Sequence, residues 1–258
     1  VDKKNRDNFF IPAEFTLSAN DGDLVLAEKL PDSYKYPRGK KAVRVIEILG
    51  DENNPKLISL IAIHAHGIPC DFSSEVLAEA ETFSEPDLKG RVDLRSVPLV
   101  TIDGADARDF DDAVFAEPDT NPNNEGGWHL IVAIADVSYY VRPNSALDKE
   151  ALNRGNSTYF ADRVVPMLPE RLSNNLCSLM PDVNRACMAC DMIIDKNGRL
   201  LKYKFSRGLM RSAARLTYEE VEDAHLGRGN EKTTAIYEPV IKPLYEVFKI
   251  LKQAREKR

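Results

Sequence analysis

The stretch Thr101-Ile102-Asp103-Gly104-Ala105-Asp106-Ala107-Arg108-Asp109-Phe110-Asp111-Asp112-Ala113-Val114 places five aspartates in ten residues between two apolar runs. Upstream, Val97-Pro98-Leu99-Val100-Thr101-Ile102 reads as a short buried strand that delivers Asp103 at its end. Downstream, Ala113-Val114-Phe115-Ala116 and the run from Trp128 to Ala135 read as two more strands, joined by a turn-rich loop into a hairpin. Two readings of the aspartates compete. One is a solvated acidic loop. The other is a cation site. The acids are all Asp, the short, stiff carboxylate that suits fixed metal geometry, and Ile102, Phe110 and Val114 pull the backbone towards a core. Crowded carboxylates there repel one another unless cations neutralise them. Oxygen donors without a nearby His or Cys select a hard cation, Mg²⁺ or Mn²⁺. The calcium EF-hand does not fit: counted from Asp103, its required Gly and Glu positions hold Arg108 and Val114. A carboxylate-bound Mg²⁺ pair is the usual equipment for cleaving a phosphodiester.

Composition narrows the rest. With 43% hydrophobic and 29% charged residues in a 258-residue chain, a folded core is expected and intrinsic disorder is not. No run of about 18 apolar residues marks a membrane span, and the polar start Val1-Asp2-Lys3-Lys4-Asn5-Arg6-Asp7 is no signal peptide. Four cysteines make no disulfide framework, so reduced thiols in the cytoplasm are expected. The net charge of −6 argues against coating nucleic acid by electrostatics alone. Residues 91–140 hold ten acids and three bases, so the negative excess sits in the aspartate region.

Residues 1–50 read as β structure, with short apolar runs around Phe9-Phe10-Ile11, Leu24-Val25-Leu26 and Ala42 to Leu49. The turn signals between them are Asn20-Asp21-Gly22-Asp23, Pro31-Asp32-Ser33 and Pro37-Arg38-Gly39, a spacing that suggests a small barrel. Helices are expected over 56–66, after the cap Ser73/Ser74, and over 145–154 with Gly155 just past the end. A second hairpin runs from Ala189 to Phe205 and turns at Lys196-Asn197-Gly198. From Tyr237 the chain is amphipathic and reaches Arg258 without a stop signal, as a shortened chain would.

The aspartate stretch resembles the signature of the ribonuclease II/ribonuclease R (RNB) family. The resemblance continues through Val132 to Val141, Asn153 to Phe160, Val165 to Leu179 and Ala214-Arg215-Leu216-Thr217-Tyr218, and its details favour the bacterial ribonuclease R side of the family. The N-terminal β segment resembles, more weakly, the family's second cold-shock domain. The resemblance implies a multi-domain chain: an OB-fold (cold-shock) β-barrel over 1–70, a connecting helix and linker over 71–90, and a partial α+β RNB catalytic domain over 91–258. It implies a processive 3′→5′ exoribonuclease that hydrolyses single-stranded RNA to 5′-nucleoside monophosphates by a two-Mg²⁺ mechanism (Mn²⁺ an alternative), monomeric and cytoplasmic, in RNA turnover and quality control. By motif position, Asp103, Asp109 and Asp112 match metal ligands. Asp111 matches the aspartate essential for turnover, with Asp109 beside it, and Asp106 falls outside the set. Tyr159 matches the aromatic that stacks on the 3′-terminal base, and Tyr218 a second tyrosine near the scissile phosphate. The family domain normally extends further, so an RNA-binding RNB-like module without catalysis is the alternative for this chain. A cation-stabilised structural domain is a third reading.

Other features carry bland readings beside functional ones. Cys187-Met188-Ala189-Cys190 has zinc-site spacing, but lacks a nearby His, so buried structural thiols are favoured. Phe9, Phe10 and Phe15 are read as barrel core in preference to RNA-stacking aromatics. Lys35, Arg38, Lys40, Lys41 and Arg44 are either a solvated run or phosphate contacts.

Overall fold

The structure is a computed structural model that describes residues 8–31, 41–51 and 57–257. The chain divides into two compact units, Val1–Asp71 with Arg154–Met167, and Phe72–Asn153 with Leu168–Arg258.

In the first unit, β1 (Asp23–Lys29) and β2 (Val43–Asp51) form an antiparallel ladder whose register runs from Asp23↔Asp51 to Lys29↔Val43. Two register shifts, at Leu24/Val25 and Leu26/Ala27, add the local twist that bulges impose. The expected Asn20–Asp23 turn forms, with the Asn20 N–H donating to Asp23 Oδ2 at 2.7 Å. Phe10 bridges Ala42. Phe9 and Phe10 are 38% and 41% exposed, so they are not the core residues expected. Backbone pairing holds Phe10 at an edge, and that pairing does not require the ring to be buried. α1 (Leu57–His66) buries Leu57 and Ile63. Arg44 pairs with Glu28. The turn residues Asp32, Ser33, Pro37, Arg38 and Gly39, with Lys35 and Lys40, lie outside the described residues.

α2 (Ser74–Glu81) starts where its cap predicts: the Ser73 hydroxyl accepts from the Val76 N–H at 3.3 Å. There follow β3 (Val92–Asp93), β4 (Val100–Asp103), β5 (Asp112–Pro118), β6 (Trp128–Ala135), α3 (Val137–Tyr140) and α4 (Ala146–Arg154). Gly155, at φ +77°, terminates α4 in the left-handed conformation that glycine adopts without penalty. β7 (Thr158–Tyr159) and β8 (Val164–Val165) pair in a small hairpin of the first unit. There Arg154 donates to the carbonyls of Asp71 (2.7 Å) and Pro166 (3.1 Å). β9 (Asn184–Ile194) and β10 (Leu200–Arg211) are the long second hairpin, followed by β11 (Ala214–Thr217), α5 (Tyr218–His225), α6 (Glu231–Ile236) and α7 (Lys242–Glu256). Gly198 turns that hairpin at φ +80°, where a Cβ would lie 2.8 Å from the Ala254 Cβ, so this turn needs glycine twice over.

Among the described residues, the second unit is built on a seven-stranded sheet of order β11-β4-β5-β6-β9-β10-β3. Its outer pairs, β11/β4 and β10/β3, are parallel, and the inner ones antiparallel. Apolar alternation explains how it is covered. Val100 and Leu216 pack with Val221, Val240 and Ile241, while Trp128, Leu130 and Ile194 pack with Val247 of α7. No helix among the described residues is long and apolar enough to cross a membrane. All four cysteines are free. Burial pushes the Cys177 and Cys187 thiols up to about 12 and about 11, which suits inert structural thiols.

Three strands converge on one histidine. His129 of β6 meets Glu117 of β5 at 2.9 Å and Asp191 of β9 at 3.2 Å. Burial opposes charge on the ring, but the hydrogen bonds to Glu117 and Asp191 outweigh it and raise the His129 pKa. The imidazolium is thus held more firmly in the folded chain than in the unfolded one. Its contribution is full below the unfolded value of about 6.5 and is lost as pH rises through the higher folded value. His129→Gln is therefore expected to lower Tm by about 2–4 °C near pH 6 and by progressively less towards pH 9, as read by thermal melts across that range. A pH-independent difference would contradict the bridge.

Candidate active site

β4 is an interior strand between β11 and β5, and it ends at Asp103. β5 begins at Asp112 and runs antiparallel to it. The eight residues between them leave the sheet and return, so both ends of the aspartate run are fixed by strands. The loop turns where the Ala107 N–H donates to the Gly104 carbonyl at 3.2 Å. At its far end, the Ala135 N–H donates to the Asp111 carbonyl at 2.9 Å. Next to Ala135, Asp136 forms a buried ion pair with Arg91 at 2.9 Å. Burial pushes the Asp136 carboxyl up, but the hydrogen bonds from Ser138 and Arg91 and then the charge of Arg91 outweigh it and lower its pKa.

The carboxylates act on one another. Burial raises the Asp103 pKa, as do Asp112 and Asp109, against the lowering effect of Arg215. Burial also raises Asp111, followed by Asp109, Asp112 and Asp103. Four of the five aspartates thus form one electrostatic group, and Asp106 is not among the charges acting on Asp103 or Asp111. Asp103 Oδ2 is buried and has no hydrogen-bond partner, an arrangement that costs free energy unless a cation or donor meets it. These are the donors a hard divalent cation takes, and the structure's own electrostatics favour one. Among the described residues no three His, Cys, Asp or Glu side chains converge as a ready-made ligand shell, so a bound ion would draw them together.

Tyr218 lies beside this group. The parallel register pairs Thr217 with Asp103, and Tyr218 follows as the first residue of α5, 62% exposed. Thr217 caps α5 reciprocally with Glu220: its hydroxyl accepts from the Glu220 N–H at 3.1 Å, and its own N–H donates to Glu220 Oε2 at 2.9 Å. That box fixes where Tyr218 leaves the strand. Tyr159 is on β7 in the first unit and is 65% exposed.

Sequence reasoning missed the residues that hold the loop. Arg215 Nη2 donates to the carbonyls of Gly104 and Ala105, each at 2.9 Å. The Ser178 hydroxyl accepts from the Phe110 N–H and donates to the Arg108 carbonyl, each at 3.1 Å. Arg185, itself buried, donates to the Ser178 carbonyl at 2.9 Å. Their partners are 70 or more residues away along the chain, or are backbone atoms, and neither leaves a local pattern.

Comparison with known proteins places the chain in a family. The RNB domain family model matches residues 91–258, and a cold shock domain model matches residues 1–73. Ribonuclease R of Vibrio parahaemolyticus is 47% identical over 264 residues, covering 100% of this chain and 31% of that protein. Ribonuclease R of Escherichia coli K12 is 46% identical, covering 97% of this chain and 31% of its own length. This chain therefore spans about a third of the length of these relatives. Among solved structures, Mycoplasma genitalium RNase R in complex with ribose methylated single-stranded RNA has a TM-score of 0.82 at 25% identity, covering 98% of this chain and 39% of that one. Yeast Ssd1, a pseudonuclease, shares the fold at 16% identity and a TM-score of 0.62, covering 96% of this chain and 31% of its own. The fold class is an OB-fold cold-shock part followed by an α+β part, and the chain belongs to the RNB domain family.

Proposed function

We propose that the protein carrying this chain is a 3′→5′ exoribonuclease that degrades single-stranded RNA processively to 5′-nucleoside monophosphates. The observation that supports it best is the group of four aspartates at the β4–β5 turn, where neighbouring carboxylates and burial raise Asp103 and Asp111 and one Asp103 oxygen is buried and unpartnered. In this reading Asp103, Asp109 and Asp112 hold two Mg²⁺ ions, or Mn²⁺, and Asp111 with Asp109 serves turnover. Bound Mg²⁺ would supply positive charge for the phosphate and activation of water. Tyr218, one residue beyond the register partner of Asp103, presents an exposed ring to RNA near the scissile phosphate. Tyr159 stacks on the 3′-terminal base, and such stacking tolerates any sequence. The domain division proposed is 1–70, 71–90 and 91–258. The setting proposed is RNA turnover and quality control in the cytoplasm, by a monomer.

The second reading is an RNA-binding module without turnover. The decisive assay follows 5′-labelled single-stranded RNA in Mg²⁺ and in EDTA, with this chain and with any longer protein that contains it. Shortening from the 3′ end in Mg²⁺ alone is expected. Asp111→Asn is expected to keep RNA affinity and to lose about 10²–10⁴-fold in turnover. Wild-type cleavage by that variant would sink the assignment. Mg²⁺-dependent binding by every protein tested, with no product from any, would favour the second reading.

Charge crowding also predicts a stability effect. Because burial and its neighbours disfavour the ionised Asp103, Asp103→Asn is expected to raise Tm of the metal-free chain by about 2–4 °C, while Asp106→Asn leaves it unchanged. Melts at pH 7 in EDTA check this, and equal shifts for the two variants would contradict the grouping.

A further inference from the structure

We propose that Arg215 and Ser178 are a pair of positioning residues that clamp the aspartate loop from opposite ends, holding its backbone so that a divalent cation can draw the carboxylates together. The proposal rests on the cation reading given above. Residues 104–111 lie outside the sheet, and like charges within them push the loop open. Something other than strand pairing must oppose that.

Arg215 grips the first half. One of its nitrogens donates to two consecutive carbonyls, Gly104 and Ala105, at 2.9 Å each, immediately after Asp103. Its guanidinium also lies 5.4 Å from the centroid of the Phe110 ring, the residue between Asp109 and Asp111. A single planar side chain therefore ties the start of the loop to its end. A lysine ammonium could bond carbonyls but is a point charge without the planar group that also reaches the Phe110 ring. The strand itself sets Arg215 in place, through Arg215↔Thr101 in the β11/β4 register. Lys232 Nζ bonds the Arg215 carbonyl at 3.0 Å.

Ser178 grips the second half. Its fully buried hydroxyl accepts from the Phe110 N–H and donates to the Arg108 carbonyl, so it holds the backbone on both sides of Asp109. The Leu179 N–H adds a bond to the Phe110 carbonyl at 2.8 Å. Ser178 is in turn anchored by buried Arg185. Neither clamp is a carboxylate or an imidazole, and neither is offered as a ligand. They act on the backbone that carries the aspartates, in the way that the hydrogen-bond partners of metal ligands fix those ligands elsewhere, where removing one costs about 10–100-fold in metal affinity.

The test measures Mn²⁺ binding to the 258-residue chain by the loss of free-ion electron paramagnetic resonance signal, together with amide hydrogen exchange over residues 104–111. Arg215→Ala and Ser178→Ala are each expected to weaken Mn²⁺ binding about tenfold or more and to speed exchange at Phe110. Arg215→Lys is expected to behave as Arg215→Ala. Val247→Ala, which empties part of the core under α7, is the comparator: it is expected to lower Tm while leaving Mn²⁺ affinity and loop exchange unchanged. Wild-type Mn²⁺ affinity in Arg215→Ala overturns the proposal. So does full affinity in Arg215→Lys, which would make charge alone sufficient, or an equal loss in Val247→Ala, which would make it a stability effect. A wild-type chain that takes up no Mn²⁺ fails the cation reading alone. Exchange then decides the clamp, and unchanged exchange in both clamp variants overturns it.

Discussion

The second unit is organised around a repulsion. Four carboxylates are crowded where two neighbouring strands of one sheet meet, and their charges together with burial disfavour the ionised forms of Asp103 and Asp111. A random loop would relieve that strain by spreading into water. Here it cannot, because Asp103 ends β4 and Asp112 begins β5, and Val100 of β4 and Ala113, Phe115 and Ala116 of β5 are buried. Sheet pairing fixes the ends, and hydrogen bonds from across the fold fix the middle. The structure thus keeps a charge arrangement that is unfavourable without a cation, the signature of a site kept at a cost to stability.

The sheet explains why the cost is tolerable. Leu99, Val100, Ala113 and Leu216 are almost wholly buried around the strand ends, and burial of such side chains contributes about 1.5–3 kcal/mol for each large one. Around the loop, buried cations meet carbonyls and carboxylates and leave few of them isolated. Arg185 reaches Asn175, Ser178 and Asn184, and Arg91 pairs with Asp136. A buried pair of this kind adds little to stability when intact but is costly to break, so it fixes one arrangement of the chain. The acidic group therefore stands on a frame of apolar strands pinned by buried arginines.

Most of that frame was readable from the chain itself. Apolar runs bounded by turn residues placed β2, β4, β5, β6 and the β9/β10 hairpin, and the Ser73 cap placed α2, because these signals are local. The aspartate run was readable because composition alone marks it. What escaped was what depends on partners distant in sequence. β3 has two residues and exists only through parallel pairing with Gly208 and Leu209. The packing of Arg154–Met167 with the first unit leaves no periodicity behind. Phe9 and Phe10, apolar enough to be read as core, are exposed, and Phe10 is placed by a backbone bridge to Ala42 that no local pattern announces. Arg215 looks like any arginine on an edge strand until the Gly104 and Ala105 carbonyls, about a hundred residues earlier, are seen beneath it.

The parallel pairing of β11 with β4 is the step that brings Tyr218 to the end of the sheet where the aspartates lie. Parallel strands end at the same side of a sheet, so Thr217 and Asp103 finish together. Each strand then leads into different chemistry: β4 into the aspartate loop, β11 into an exposed aromatic ring at the head of a capped helix. An antiparallel β11 would send Tyr218 to the opposite end of the sheet, about four residues or 13 Å away along the strand. The same strand also carries Arg215 into the loop, two residues before Thr217. One four-residue edge strand thus positions the ring beside the acids and the guanidinium beneath them, so a change of register there would disturb both together.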